Sequence, residues 1–402
     1  MGDFDVGKIK ENVQLLWYVK KFYPNIQIKS SQRNVTNAIC PFHEDRDTAS
    51  LALYSNGSWK CFGCGQHGDI IQFVMNMEGI DFMDACKLIC SNTGIPFAEN
   101  NISPEWRTYM NVMNSHIIRY FENLKNNGEA MNYLINERKV SPDMISKFRL
   151  GLVPDDEYTR RNDIGNISGR ISIPLFEHSI YHPNVLGAAY RDFHGVMPKY
   201  INDTNKDGRE GQNPALNGVF IKSNILYGLP QAKKTIIKAG HVILVEGYFD
   251  VISMHQSLIE NVVGVMGTSL SESQMTALKS LTSNVMLFLD GDDAGIKGMC
   301  KMATQLYSKG FNVMIIVAKN KMDPDDVCKA HNFNYAKIIN DIKHGMKDAM
   351  NYIISLSTEQ FKNTVSIEQR KVIKKMEPII MSISNSMERE FYMKKLYDEL
   401  MM

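Results

Sequence analysis

A multidomain α/β fold is predicted by three features of the 402-residue chain. Two close pairs of soft metal ligands stand near the N-terminus, apolar strands alternate with helical periods from residue 241, and helical spacing dominates from residue 333. The expected organisation is a ribbon domain at residues 1–98, a basic mixed α+β part at 105–235, a parallel-sheet α/β part at 236–335 and a helical segment at 336–402. With 44% hydrophobic residues the chain can form two or three cored domains.

The ribbon rests on Cys40-x2-His43-x17-Cys61-x2-Cys64. Three thiolates and an imidazole complete a tetrahedron around one Zn²⁺ and leave no open position, so one structural zinc per chain is expected. Pro41 and Phe42 bend the first knuckle, and Gly63 and Gly65 free the second to aim backbone N–H groups at the thiolates. Residues 50–54 and 58–60 alternate as short strands, with Asn56-Gly57 as a hairpin turn. Trp59, beside Lys60, either stacks on bases of a nucleic acid or packs beneath the knuckle. The chain holds seven cysteines, an odd number that argues against a disulfide framework and for a reducing, cytoplasmic setting. Cys86 and Cys90 read as core residues or as half of a second metal site.

No apolar run approaches the ~20 residues of a membrane span, and the start lacks the basic stretch of a signal peptide, so no membrane partner is expected. Basic and acidic residues nearly cancel, 45 against 44, but residues 111–235 hold 16 basic and 13 acidic groups. A nucleic-acid footprint is therefore expected there.

After the ribbon, residues 69–90 carry apolar positions at helical spacing, and 95–104 read as a linker. Helices are expected at 105–124, at 128–137 and from Ser141-Pro142-Asp143, where a serine cap precedes a first-turn proline. The period shifts toward two between 169 and 200, which predicts sheet. Asp203-x-Asn205-x-Asp207-Gly208 copies half a calcium loop, but Pro214 stands where the bidentate Glu belongs, so a surface loop is the better reading. Strands at 242–245, 262–265, 285–289 and 313–317 then alternate with helices at 248–256, 272–281 and 294–309, which implies a parallel sheet. The tail ends in an amphipathic helix at 386–400.

Carboxylates cluster at the ends of these strands. Glu246 follows the first, Asp290 and Asp292 the third, Asp323 and Asp325 the fourth, all at the rim where parallel sheets bind ligands. Each alone reads as an acidic turn, but three clusters at one rim repel and call for a divalent cation, Mg²⁺ or Mn²⁺.

Val245-Glu246-Gly247-Tyr248-Phe249-Asp250, Gly267-Thr268-Ser269, Leu289-Asp290-Gly291-Asp292-Asp293-Ala294-Gly295 and Asp323-Pro324-Asp325 together resemble the Toprim domain of DnaG-type bacterial primases. Cys40-Pro41-Phe42-His43 and Cys61-Phe62-Gly63-Cys64-Gly65 resemble the zinc-binding domain of the same family. The resemblance covers roughly residues 35–335 and implies synthesis of short RNA primers from ribonucleoside triphosphates on a single-stranded DNA template, with a replicative helicase as partner. It makes Glu246, Asp290 and Asp292 the magnesium ligands, and Asp250, Asp323 and Asp325 further members of the acidic site. It makes Arg170, Arg191, Lys199 and Lys222 the template or nucleotide contacts, with Asn224 where the family carries an arginine. About 65 residues follow the catalytic region, fewer than the family's helicase-binding domain, which suggests a phage or mobile-element version acting in the bacterial cytoplasm. The rival readings are a Toprim-type nuclease and a non-catalytic single-stranded DNA binder. No G-x4-G-K-[ST] motif occurs, so a fused helicase is excluded.

Overall fold

The computed structural model describes residues 6–45, 49–95, 104–155, 160–161, 165–179, 184–203, 222–291, 293–359, 366–383 and 385–401. They fall into two compact units, Met1–Arg107 with Ser179–His182, and Thr108–His178 with Pro183–Met402.

In the first unit, helices α1 (Val6–Asn12) and α2 (Leu15–Phe22) precede an antiparallel sheet in simple order, β1 (Ile28–Ser31), β2 (Val35–Ala38), β3 (Leu51–Tyr54), β4 (Trp59–Cys61) and β5 (His67–Gly68). Asn56-Gly57 turns β3 into β4, with Gly57 at φ 84° where a side chain would be strained. The single helical stretch expected at 69–90 is two helices, α3 (Ile70–Glu78) and α4 (Phe82–Thr93). Gly79, left-handed at φ 60°, ends the first, and the Asp81 carboxylate accepts the Asp84 N–H to start the second. Trp59, Phe73, Tyr18, Leu51 and Ile89 fill the core between sheet and helices.

The second unit begins within α5 (Pro104–Lys125), at Thr108, and continues with α6 (Gly128–Asn132), a π-helical turn at Tyr133–Glu137 and α7 (Pro142–Lys147), whose cap is Ser141 as expected. An antiparallel sheet follows in the order β11 (Tyr200–Asn202), β10 (Val185–Arg191), β9 (Ile171–Phe176), β6 (Gly151–Leu152), beside a small ribbon of β7 (Arg160–Arg161) and β8 (Gly165–Asn166). After α8 (Leu229–Ala239) comes the α/β part. Its strand order is β13 (Val262–Gly264), β12 (Val242–Val245), β14 (Asn284–Leu287), β15 (Asn312–Ile316), β16 (Met346–Asp348), parallel except for β16. All four residues of β12 are buried, because helices cover both faces of a parallel sheet and leave no solvent side to alternate with. The crossovers are α9 (Tyr248–Gln256), α10 (Glu272–Lys279) and α11 (Asp293–Ser308), and α12 (Pro324–Ala330) follows β15. Beyond α13 (Tyr335–Gly345), the tail is helical as expected in α14 (Ala349–Thr358), α15 (Ser366–Met381) and α16 (Ser386–Met401), but the antiparallel edge strand β16 interrupts it. Among the described residues no helix is long and apolar enough to cross a membrane.

Candidate functional site

Two sites form, one in each unit. In the first, β3 and β4 and the turns around them gather Cys40, His43, Cys61 and Cys64, whose ligand atoms all lie within 4.8 Å of one another. The surroundings fit a metal. The Cys61 sulfur accepts the N–H of Gly63 at 3.3 Å and of Cys64 at 3.4 Å, and the Cys40 sulfur accepts that of Phe42 at 3.5 Å. Burial alone would raise the Cys61 thiol, but the Cys64 and Gly63 N–H groups help to depress it and favour the thiolate a metal needs. A side chain on Gly63 would meet His43 Nε2 at 2.6 Å, so only glycine lets this turn close over the imidazole. Behind the cluster, Asp45 Oδ2 accepts the Cys40 N–H at 3.1 Å and the Ser50 hydroxyl, and thereby orients the hydroxyl that faces Cys61.

Trp59 is 1% exposed, ringed by Phe42 and Phe73, and donates Nε1–H to the Asp69 carbonyl at 2.9 Å. It packs beneath the knuckle and is not free to stack on bases. The exposed aromatic is its neighbour Phe62, 68% exposed with the Lys60 ammonium over its ring. Cys86 and Cys90 are buried on α4, and among the described residues neither belongs to a metal-ligand cluster. The Asp203 carboxylate accepts the Ala188 N–H at 2.9 Å and the Tyr190 hydroxyl, which fixes β10. The rest of the calcium-loop match lies outside the described residues.

The second site lies where β12, β14 and β15 end. Glu246 directly follows β12, Asp290 stands in the turn after β14, and Asp323 caps α12 after β15, accepting the Asp326 N–H at 2.6 Å. Asp250, on the first turn of α9, accepts the Gly247 N–H at 2.7 Å. Its carboxyl is pushed up to about 7, first by burial and then by the charges of Asp323 and Asp290. Burial also raises Asp323, helped by Asp326, Asp325 and Asp290. Asp250, Asp290 and Asp323 thus lie in one another's field, and a hard cation suits that donor set. The turns pack tightly, for a side chain on Gly291 would meet the Lys321 backbone at 2.6 Å and one on Gly295 the Asp290 carbonyl oxygen at 2.1 Å. Asp292 lies outside the described residues.

Asp325 is held differently from its neighbours. One of its oxygens takes ion pairs from Arg138 and Lys329, both at 2.7 Å, and the other accepts the Ser253 hydroxyl at 2.6 Å. Its charge is already compensated by protein. Arg138 is the residue the sequence reading missed. It terminates the π-helical turn, lies over the Phe249 ring at 4.2 Å, and reaches Asp325 across 187 positions of chain. The Glu137-Arg138-Lys139 run was the sequence signal available, and it carries no hint of that partner.

The expected cations divide into buried and open. Arg170 is 5% exposed and donates to the Pro198 carbonyl at 2.8 Å, so it anchors the loop between β10 and β11. Arg191 is buried, donating from Nε to the Tyr133 hydroxyl at 2.6 Å and from a terminal nitrogen to the Tyr200 hydroxyl. Lys199 is exposed, and the charges of Arg191, then burial, then Arg138 lower its ammonium. Lys199, Arg191 and Arg138 therefore share one positive field beside the acidic rim. The backbone of Lys222 begins a short 3-10 turn, and its side chain lies outside the described residues.

Against known proteins, residues 4–104 match the CHC2 zinc finger family and residues 243–328 the Toprim-like family. The chain is similar to the DNA primase of Borreliella burgdorferi, 25% identical over 98% of this chain and 78% of that protein. It is also similar to that of Aquifex aeolicus, 30% identical over 81% of this chain and 66% of that protein. It spans between 58% and 64% of the length of further curated DNA primases. Among solved structures, the zinc-binding and RNA polymerase domains of the Aquifex aeolicus primase superpose with a TM-score of 0.60 at 26% identity, covering 100% of this chain and 98% of that one.

Proposed function

The chain belongs to the DnaG-type primase family, and on that premise we propose that it synthesises short RNA primers from ribonucleoside triphosphates on single-stranded DNA. The observation that carries the reading is one chain holding both a closed Cys3His cluster and an acidic rim at the carboxyl edge of a parallel sheet. A nuclease or a plain DNA binder needs only one of the two.

On this reading Cys40, His43, Cys61 and Cys64 hold a structural zinc, and Glu246, Asp290 and Asp292 hold Mg²⁺ or Mn²⁺, with Asp250 and Asp323 shaping the field around them. Such an ion, when bound, promotes deprotonation of the attacking 3′ hydroxyl and offsets charge on the triphosphate. Lys199 faces the phosphates of template or nucleotide, while Arg191 and Arg138 supply positive potential from behind. Arg170 positions the loop that carries Lys199. Asp325 keeps α12 and α9 in register through Arg138, Lys329 and Ser253, which fixes where Asp323 and Asp250 stand. Residues 1–98 serve as the zinc-ribbon domain, 105–235 as the template-binding part, 236–335 as the catalytic part and 336–402 as a helical support. A replicative helicase in the bacterial cytoplasm is the expected partner.

Primer synthesis on defined single-stranded templates, with labelled ribonucleotides and Mg²⁺ or Mn²⁺, tests the reading. Asp290→Asn should reduce synthesis by about 100-fold or more while template binding persists, because it removes a cation ligand and relieves repulsion toward phosphate. Synthesis at the normal rate by that variant would overturn the catalytic assignment.

A further inference from the structure

The loop between β10 and β11 is not explained by either metal site. It runs from Asp192 to Lys199 and presents two adjacent apolar side chains to solvent, Val196 at 57% and Met197 at 80% exposure. Apolar side chains at a mobile tip need no explanation, but this tip is clamped at four points. The Asp192 carboxylate accepts the N–H of His194 at 3.0 Å and of Val196 at 2.6 Å. The Asp192 N–H closes the loop on the Lys199 carbonyl at 2.9 Å. Arg170, itself buried, reaches the Pro198 carbonyl, and Phe193 stacks on Tyr133 with ring centres 5.1 Å apart. Tyr133 in turn accepts from Arg191. The arrangement fixes Val196 and Met197 in place and ties them to the residues that make the positive field.

We infer that Val196 and Met197 form a wedge that contacts the bases of the single-stranded template and opens one stacking step beside Lys199. The chemistry follows from the neighbours. Lys199 draws the phosphate backbone to the root of the loop, and only the bases are then available to cover the apolar tip. An apolar side chain between two bases recovers the surface that both would otherwise expose, whatever the sequence, as Met and other apolar wedges do when inserted into nucleic acid. A rigid tip suits this role because it loses little conformational freedom on insertion. An unstacked base beside the cationic face is presented for pairing with an incoming nucleotide. This rests on the reading that the Lys199 face receives template.

The test uses the full chain and single-stranded oligodeoxynucleotides carrying 2-aminopurine at successive positions, whose fluorescence rises on unstacking. The native protein should give a rise confined to one or two positions. The double variant Val196→Ser with Met197→Ser should lose most of that rise and bind about threefold to tenfold more weakly, with its salt dependence unchanged. Met197→Leu, which keeps the tip apolar, should retain the rise. Lys199→Ala should instead lower the salt dependence. If the double serine variant keeps the full rise while Lys199→Ala weakens binding, the wedge is overturned and the tip is left to a protein partner. If neither variant changes binding or fluorescence, the template does not lie on this face, and the wedge falls with that reading.

Discussion

Set beside each other, the Cys3His cluster and the acidic rim treat charge in opposite ways. Around Cys61 the backbone turns inward, and N–H groups from Gly63 and Cys64 lower the thiol before any metal arrives. Around Asp250 and Asp323 the fold adds burial and like charge, so both carboxyls rise above their ordinary range. The first arrangement favours the thiolate at Cys61 while burial pushes the Cys40 thiol up, so one thiolate stands ready for a metal that stays. The second disfavours the charged carboxylates and suits a cation that enters with its substrate and leaves. Asp325 shows that the difference lies in the partners and not in the residue type, since the same carboxylate, given Arg138, Lys329 and Ser253, becomes a joint of the fold.

The comparison breaks first at the zinc. If the cluster is a closed structural site, chelation should loosen the first unit, because apparent binding free energies of such sites run to roughly 10 kcal/mol and are folding free energy. The α/β sheet has its own core in Val242, Leu244, Val263, Leu287 and Ile315 and should remain protected. Hydrogen exchange after chelation should therefore show loss across α3 and α4 and retention in β12 and β14. Elemental analysis of fresh, reduced protein should give one zinc per chain, and finding none would sink the assignment.

The second break concerns Arg138. Replacing it with Met keeps the contact with Phe249 but leaves the Asp325 carboxylate, 7% exposed, with Lys329 as its remaining cationic partner. Removing one member of a buried ion pair costs about 3–5 kcal/mol, so a marked fall in Tm is expected. Arg138→Met combined with Asp325→Asn should recover part of that loss. A variant as stable as the parent would show that Lys329 and Ser253 suffice.

How far these contrasts were visible beforehand follows from how local their causes are. The zinc spacing, the strands at 242–245, 262–264, 284–287 and 312–316, and the cap Ser141 sit within a few residues of what determines them, and the sequence shows them. The break at Gly79 and Asp81 was equally local and was passed over because apolar spacing continued across it. Others were hidden by distance. Arg138 meets Asp325 only through the tertiary fold, and β16, short and polar, is a strand only because β15 offers it an edge. Which of Trp59 and Phe62 faces inward is decided by the packing of Phe42 and Phe73, not by residue type. Arginines 170 and 191 were expected as template or nucleotide contacts, and the burial of both and their bonds to the Pro198 carbonyl and to the Tyr133 and Tyr200 hydroxyls could not be read from the sequence.

A finer test of the rim uses pH, without divalent cations. With its carboxyl raised to about 7, Asp250 holds a proton in the folded state over the range from about 4 to about 7 in which it would lose it unfolded. Its contribution to stability therefore falls as pH rises through that window, by about 4 kcal/mol at most. His255 opposes it. Burial depresses its imidazole to about 4, so the unfolded chain binds the extra proton below about 6.5 and stability rises with pH there. The two slopes offset each other in the native protein, and Asp250→Asn should separate them. Its Tm should exceed the parent's at pH 8, and the advantage should shrink toward pH 4. An unchanged difference across that range would mean that Asp250 is not strained by its neighbours.

The smallest effect is expected at Lys199, and it sharpens the contrast between open and buried cations. Lys199 is exposed, and its ammonium is lowered chiefly by Arg191, so an anion that approaches it gains from both charges. Lys199→Ala should leave Tm nearly unchanged, because no buried group loses a partner, and should reduce the salt slope of single-stranded DNA binding by about 0.7. Arg191→Ala should affect both, since Tyr133 and Tyr200 lose the guanidinium that joins them. Titrations at several salt concentrations, paired with thermal melts, separate the two outcomes. Equal slopes for the parent and the Lys199 variant would move the template off this face, whereas a fall in Tm for Lys199→Ala as large as that for Arg191→Ala would erase the distinction between a contact and its support.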